Sequence, residues 1–110
     1  MAKLYAELLA GLPLEIPFED GLGEHVYHQY TLLCDRRDDV MAALQAKQIG
    51  CAVYYPVPLH QQNAFKEDCA GLTFPMTESV AARCFSLPIC PFLTDEEIHE
   101  ICSVIRGVFA

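Results

Sequence analysis

Positive charge is what this chain has least of. Seven lysines and arginines face fifteen aspartates and glutamates, for a formal net charge of −8. Nucleic acid and anionic lipid are thereby excluded as expected partners, since each is held by a concentrated cationic surface. No run approaches the roughly 20 apolar residues of a membrane helix. The opening stretch Lys3-Leu-Tyr-Ala-Glu-Leu-Leu9 is amphipathic and lacks a signal-peptide pattern. The chain therefore reads as soluble and cytoplasmic.

Several chemical signatures are missing as well. The six cysteines include no Cys-x-x-Cys pair, and no histidine pair has zinc-finger spacing, so a metal site is not expected. They read instead as small buried hydrophobes in a reducing compartment. Gly21-Leu22-Gly23 has neither the preceding strand nor the following helix of a phosphate-cradling loop. Ser86 has no glycine elbow around it, which removes a hydrolase nucleophile. No spacing favours a Cys–His nucleophile pair over a chance one.

What is present is enough for one core. The chain has 110 residues, 53% of them apolar, with five tyrosines and six phenylalanines. That length supports a single domain over residues 1–110 and is short for a two-lobed cofactor enzyme. Leu4, Leu8, Leu9 and Leu12 predict a helix within residues 3–12. Residues 25–34 predict a strand, with Val26, His28, Tyr30, Leu32 and Cys34 on one face. A helix follows, capped by Asp38 and stopped by Gly50, with Val40, Met41, Leu44 and Gln48 inward. Residues 51–55 predict a second strand, ended by Pro56 and Pro58. Residues 59–74 hold a helical turn and a loop. A short helix follows Pro75, its apolar side formed by Val80, Ala81 and Cys84. Phe85-Ser-Leu-Pro88 is a short third strand. Thr94 to Glu97 forms a capping box for a last helix, buried through Ile98, Ile101, Cys102, Ile105, Val108 and Phe109. The fold class is α+β: a two-layer sandwich with an about three-stranded sheet and helices packed on one face.

Few side chains point to chemistry. Asp95-Glu96-Glu97 resembles paired carboxylates, but its place in a helix first turn fits dipole complementation. His99 lies on the exposed side of the last helix. His25 and His28 fall on opposite strand faces and do not chelate together, and His28 reads as a hydrogen-bonded core or interface residue. His60 differs. It follows a proline-stiffened loop with Tyr54 and Tyr55 before it and Gln61 and Gln62 behind, a polar rim suited to a site.

That loop, Val-Tyr-Tyr-Pro-Val-Pro-Leu-His-Gln-Gln-Asn-Ala-Phe over residues 53–65, resembles the C-terminal hallmark of the DegT/DnrJ/StrS aminotransferases. These are pyridoxal-phosphate enzymes acting on nucleotide-linked keto-sugars. His25-Val-Tyr-His-Gln-Tyr-Thr31, Arg37-Asp38, Pro75-Met-Thr-Glu78, Phe85-Ser-Leu-Pro88 and Pro91-Phe-Leu-Thr-Asp-Glu-Glu97 are similar to further segments of that family, in order. The resemblance implies the small C-terminal lobe of a fold-type I enzyme, a fragment without the large lobe that carries the Schiff-base lysine. It implies amino transfer, with glutamate the expected donor, to a keto-sugar in the parent enzyme. Pyridoxal phosphate belongs to that parent, and this chain alone is expected to bind none and to be inactive. None of Lys3, Lys47 and Lys66 lies in a segment like the cofactor-lysine motif. Tyr54 departs from the family, standing where many relatives have His. Tyr55, His60 and Gln62 are implied as a substrate-facing rim, with no catalytic, cofactor-binding or metal residue assigned. The other reading is a free-standing, non-catalytic protein-interaction module of the same fold. A lobe exposing its apolar face is expected to self-associate, and the parent to be a homo-oligomer.

Overall fold

Two strands and three helices converge on thirteen buried side chains in the computed structural model, which describes residues 1–110. In chain order the elements are helix α1 (Ala2–Leu9), strand β1 (Tyr30–Leu33), helix α2 (Arg37–Ala46), helix α3 (Pro75–Arg83), strand β2 (Cys84–Leu87) and helix α4 (Asp95–Phe109). A 3-10 turn, Leu59–Gln61, precedes α3. The fold is α+β, as the residue pattern predicts, but its sheet has two strands, not three.

The strands are antiparallel, pairing Tyr30 with Leu87 and Leu32 with Phe85. Period-two alternation turns these four toward the helices, while Thr31 and Ser86 face the other way and share a 2.8 Å hydroxyl contact. The predicted strand over 25–34 shrinks to residues 30–33 for a local reason. Beyond the hydrogen-bonded Tyr30–Leu87 pair, Pro88 turns its backbone N, as Ser86 does, toward the Ala52 edge, where it has no N–H to give. The Pro88 carbonyl instead accepts the Tyr5 hydroxyl at 2.8 Å. Tyr27, at φ 49°, has already left the extended region. His28 is consequently exposed, not a core residue.

The predicted strand over 51–55 is reduced to one bridge, Ala52 to Ser86. Tyr54 and Tyr55 are 48% and 73% exposed, so their alternation finds no surface to bury against before Pro56 ends the run. A matching bridge, Glu15 to Leu33, borders β1. Prolines on both flanking segments keep each edge to a single residue.

Helix α4 has the reciprocal capping box expected of Thr94 and Glu97 and buries Ile98, Ile101, Cys102 and Ile105. Val108 and Phe109 are half-buried. Two arginines tie this helix to its neighbours. Arg106 donates to the carbonyls of Leu8 and Ala10 at the end of α1, at 2.8 and 3.0 Å. Arg36, before α2, donates to the Val108 carbonyl at 2.8 Å. Helix α2 buries Val40 and Leu44, but its ends differ from expectation. Its N-cap is Arg36 with no side-chain cap, and Asp38 lies in the first turn. Gln48, not Gly50, takes the left-handed stop at φ 60°, so Gln48 is exposed and off the inner stripe. Helix α3 starts with Pro75 at its first turn and buries nothing. Of its expected apolar side, Val80 is exposed, Ala81 half-buried, and Cys84 buried at the start of β2.

The radius of gyration is 15.6 Å, against roughly 13 Å for a compact chain of 100 residues. Residues 16–29 and 54–74 account for the excess, since none of them is buried. No helix is long and apolar enough to cross a membrane.

Local chemistry sets two stability outcomes. Thr94→Ala is expected to cost about 1 kcal/mol through loss of the cap. Gln48→Gly is expected to gain about 1 kcal/mol by relieving a left-handed side-chain clash. Urea unfolding midpoints of the two variants should move in opposite directions.

Candidate functional site

The loop expected to carry the rim is not enclosed by the core. Past the Ala52 bridge the chain runs through Tyr54 and Tyr55, is held extended by Pro56 and Pro58, and closes the 3-10 turn with Gln61 N donating to the Pro58 carbonyl at 2.9 Å. Tyr55 and Gln62 line one hollow of about 380 Å³ with Tyr54, Val57, Met76 and Val80. The Gln62 amide makes only a long contact, 3.5 Å, to the Val57 carbonyl. Its polar end remains available.

His60 does not line that hollow. Its ring turns to the other side of Leu59, into a second hollow of about 470 Å³ with Phe65, Cys69 and Phe74. Leu59 and Thr77 border both spaces. The imidazole is only 9% exposed, with Nε2 at 2.9 Å from Glu78 Oε1. Its edge meets Phe74, centroids 4.8 Å apart at 66°. Of the three rim residues, the structure brings two to one hollow and sets the third behind them.

Glu78 is the site residue that sequence reasoning missed as a partner. Its Oε1 also accepts the Phe74 N–H at 3.1 Å. The Phe74 N–H, then the His60 ring, hold its carboxyl below the ordinary carboxylate value. The advance signals were its place in the family-like segment Pro75-Met-Thr-Glu78 and in the first turn of a helix. A further hollow of about 390 Å³ also borders Tyr54, lined by His28, Gln29, Cys51 and Ser86 among others. Tyr54 therefore lines two hollows.

Elsewhere the polar groups serve the fold. Glu97 of the acidic cluster accepts the Thr94 N–H at 2.8 Å and is part of the cap. Arg83 joins Glu15 and Asp35 at 2.6 and 2.7 Å, fastening α3 to the edges of β1. Cys34, Cys84 and Cys102 are buried, Cys51 and Cys69 half-buried, and Cys90 exposed. Burial pushes the Cys102 thiol up to about 11. No group of three His, Cys, Asp or Glu side chains is placed to hold a metal ion.

The match to known proteins runs nearly end to end. Residues 1–106 fit the model of the DegT/DnrJ/EryC1/StrS aminotransferase family. The chain belongs to that family. A UDP-N-acetyl-3-dehydro-alpha-D-glucosamine 3-aminotransferase of Acidithiobacillus ferrooxidans is 44% identical over 105 residues, covering 96% of this chain and 28% of the relative. A crystal structure of a DegT/DnrJ/EryC1/StrS aminotransferase from Brucella abortus superposes with a TM-score of 0.86 at 34% identity, over 96% of this chain and 28% of that one. Streptomyces venezuelae DesV, solved with a ketimine intermediate, gives 0.90 at 31% identity, over 96% and 29%. The chain thus spans under a third of the length of these aminotransferases, and its α+β architecture is theirs over that span.

Glu78 yields a pH outcome. A carboxyl with a lowered folded value contributes stability that is complete above the unfolded value, about 4.3, and is lost as pH falls through the lowered one. The Phe74 amide resonance, which reports the carboxylate it donates to, should titrate with a midpoint below about 4.3. A midpoint at or above that value would contradict the contact.

Proposed function

We propose that residues 1–110 are the C-terminal small domain of a pyridoxal-phosphate aminotransferase that transfers an amino group, with glutamate as donor, to a nucleotide-linked keto-sugar. The observation that carries this reading is the 44% identity over 105 residues to an aminotransferase whose name specifies a UDP-linked 3-dehydro sugar. In this reading the lobe contributes a rim and the remainder of the enzyme contributes the reacting groups.

The residues of this chain do not by themselves fit the cofactor. A Schiff-base lysine needs a desolvated pocket, whereas Lys3, Lys47 and Lys66 are all exposed. No chemical step is therefore assigned to this chain. Its role is binding and orientation: the Tyr55 phenol can donate or accept, and the Gln62 amide can do both at once. Pro56 and Pro58 limit how far these groups drift. His60 belongs to the same rim through its place in the loop. The parent is proposed to be a cytoplasmic homo-oligomer.

A second reading is a non-catalytic interaction module of this fold. It is favoured by the exposure of Tyr55, Leu59 and Met76, at 73%, 69% and 78%. The coding sequence immediately upstream of Met1 separates the two: a large lobe with its lysine in frame or in a neighbouring frame supports the aminotransferase domain, and a start site of its own supports the module.

Two outcomes check the first reading. The isolated chain with pyridoxal phosphate should give no yellow, borohydride-reducible adduct, and a stoichiometric one would refute it. In an intact enzyme carrying this lobe, His60→Ala should lower keto-sugar turnover about tenfold, the scale of one lost positioning contact. Unchanged kinetics would remove His60 from the rim.

A further inference from the structure

We infer that Glu78 is the positioning residue of the rim. Its carboxylate fastens His60 to the start of α3 and so sets where Tyr55 and Gln62 stand toward a nucleotide-sugar; this rests on the aminotransferase reading above.

The loop has little else to hold it. From residue 54 to residue 74 no side chain is buried in the core. Its backbone hydrogen bonds are all local: Gln61 to Pro58, Gln62 to Leu59, Phe65 and Lys66 to Gln62, Cys69 to Phe65, and so on to Leu72. The Gln62 amide reaches only Val57, within the loop itself. His60 Nε2 to Glu78 Oε1, at 2.9 Å, is the one polar side-chain contact from this loop to another element.

One carboxylate oxygen does two tasks there. It accepts the Phe74 N–H at the mouth of α3 and the imidazole of the loop. A charged acceptor makes both bonds stronger than neutral ones, and the helix N-terminus favours its charge. Helix α3 is in turn anchored to the sheet, with the Arg83 carbonyl accepting the Cys34 N–H at 3.0 Å and the Ala81 carbonyl accepting from Arg37 at 2.7 Å. The path from sheet to rim therefore runs through α3, Glu78 and His60. His60 acts through this tie, since its ring is turned away from the hollow that Tyr55 and Gln62 line. Misplacing the rim by even about 1 Å is enough to slow a reaction that depends on it.

Two substitutions separate the carboxylate's contacts from its charge. Glu78→Asp keeps the negative charge in the first turn but is a methylene shorter, so it loses its reach to His60 and to the Phe74 N–H. Glu78→Gln keeps the length and both acceptor contacts and serves as the conservative rescue. In the intact enzyme, Glu78→Asp is expected to raise the sugar KM about tenfold and leave the KM of the amino donor unchanged. It should also speed deuterium uptake across residues 56–65 and not across α4. Glu78→Gln should return both readouts toward the parent values. Faster uptake with an unchanged sugar KM would confine Glu78 to holding the loop and overturn its positioning role. Unchanged uptake would remove the tie itself. If Tyr55→Phe and His60→Ala also leave sugar turnover intact, the rim reading fails, while the uptake data still decide the tie on its own.

Discussion

The apolar stripe of α4 is the surface on which everything else is assembled. Ile98, Ile101, Cys102 and Ile105 are fully or almost fully buried, and α1, α2 and both strands pack against them. Burying such side chains is worth about 1.5–3 kcal/mol each, which makes this helix the largest single contributor to a small core. Arg106 and Arg36 then join α4 to its neighbours by side chain-to-carbonyl bonds at the helix ends. With the stripe in place, Tyr5 is drawn against Tyr30, rings 4.9 Å apart, and α1 is fixed over the sheet.

Prolines decide where that order stops. Pro88 has no N–H to offer the Ala52 edge, Pro56 and Pro58 hold the segment beyond it extended, and the flanking edges pair through single residues. A sheet so limited cannot enclose residues 54–74. They stand out from the core, and the Glu78 carboxylate meets them twice, at the His60 ring and at the Phe74 N–H. A segment with local hydrogen bonds and so few external ties suits the proposed rim, which would be placed without being buried.

Where the pattern was locally complete, the residues alone were informative. Thr94, Glu97 and the three- and four-residue spacing of Ile98, Ile101 and Ile105 specify α4 almost to its ends, because capping and amphipathicity are properties of adjacent turns. The segments around Tyr54, His60 and Glu78 marked the family for a different reason, since several of them recur in order. Strand lengths were not legible. Residues 25–29 and 51–55 have strand-like side chains, yet Tyr27 turns out of the extended region and Pro88 has no N–H for the Ala52 edge. The stop of α2 was likewise misread at Gly50, because the turn closes two residues earlier and makes Gln48 pay the left-handed strain. For the rim, Tyr55 and Gln62 could be placed together by loop chemistry, but the direction of the His60 ring could not.

By itself the sequence determined the acidic balance, the helix punctuation, the one-core size and the family to which this lobe belongs. All of these follow from composition, local periodicity and ordered motifs. Only the tertiary structure decided that Glu78 meets His60, that Tyr54 lines two hollows, and that α3 has no buried residue. The reason is physical: each fact depends on segments distant in sequence, as His60 and Glu78, 18 residues apart, meet at 2.9 Å, and no local pattern carries that approach.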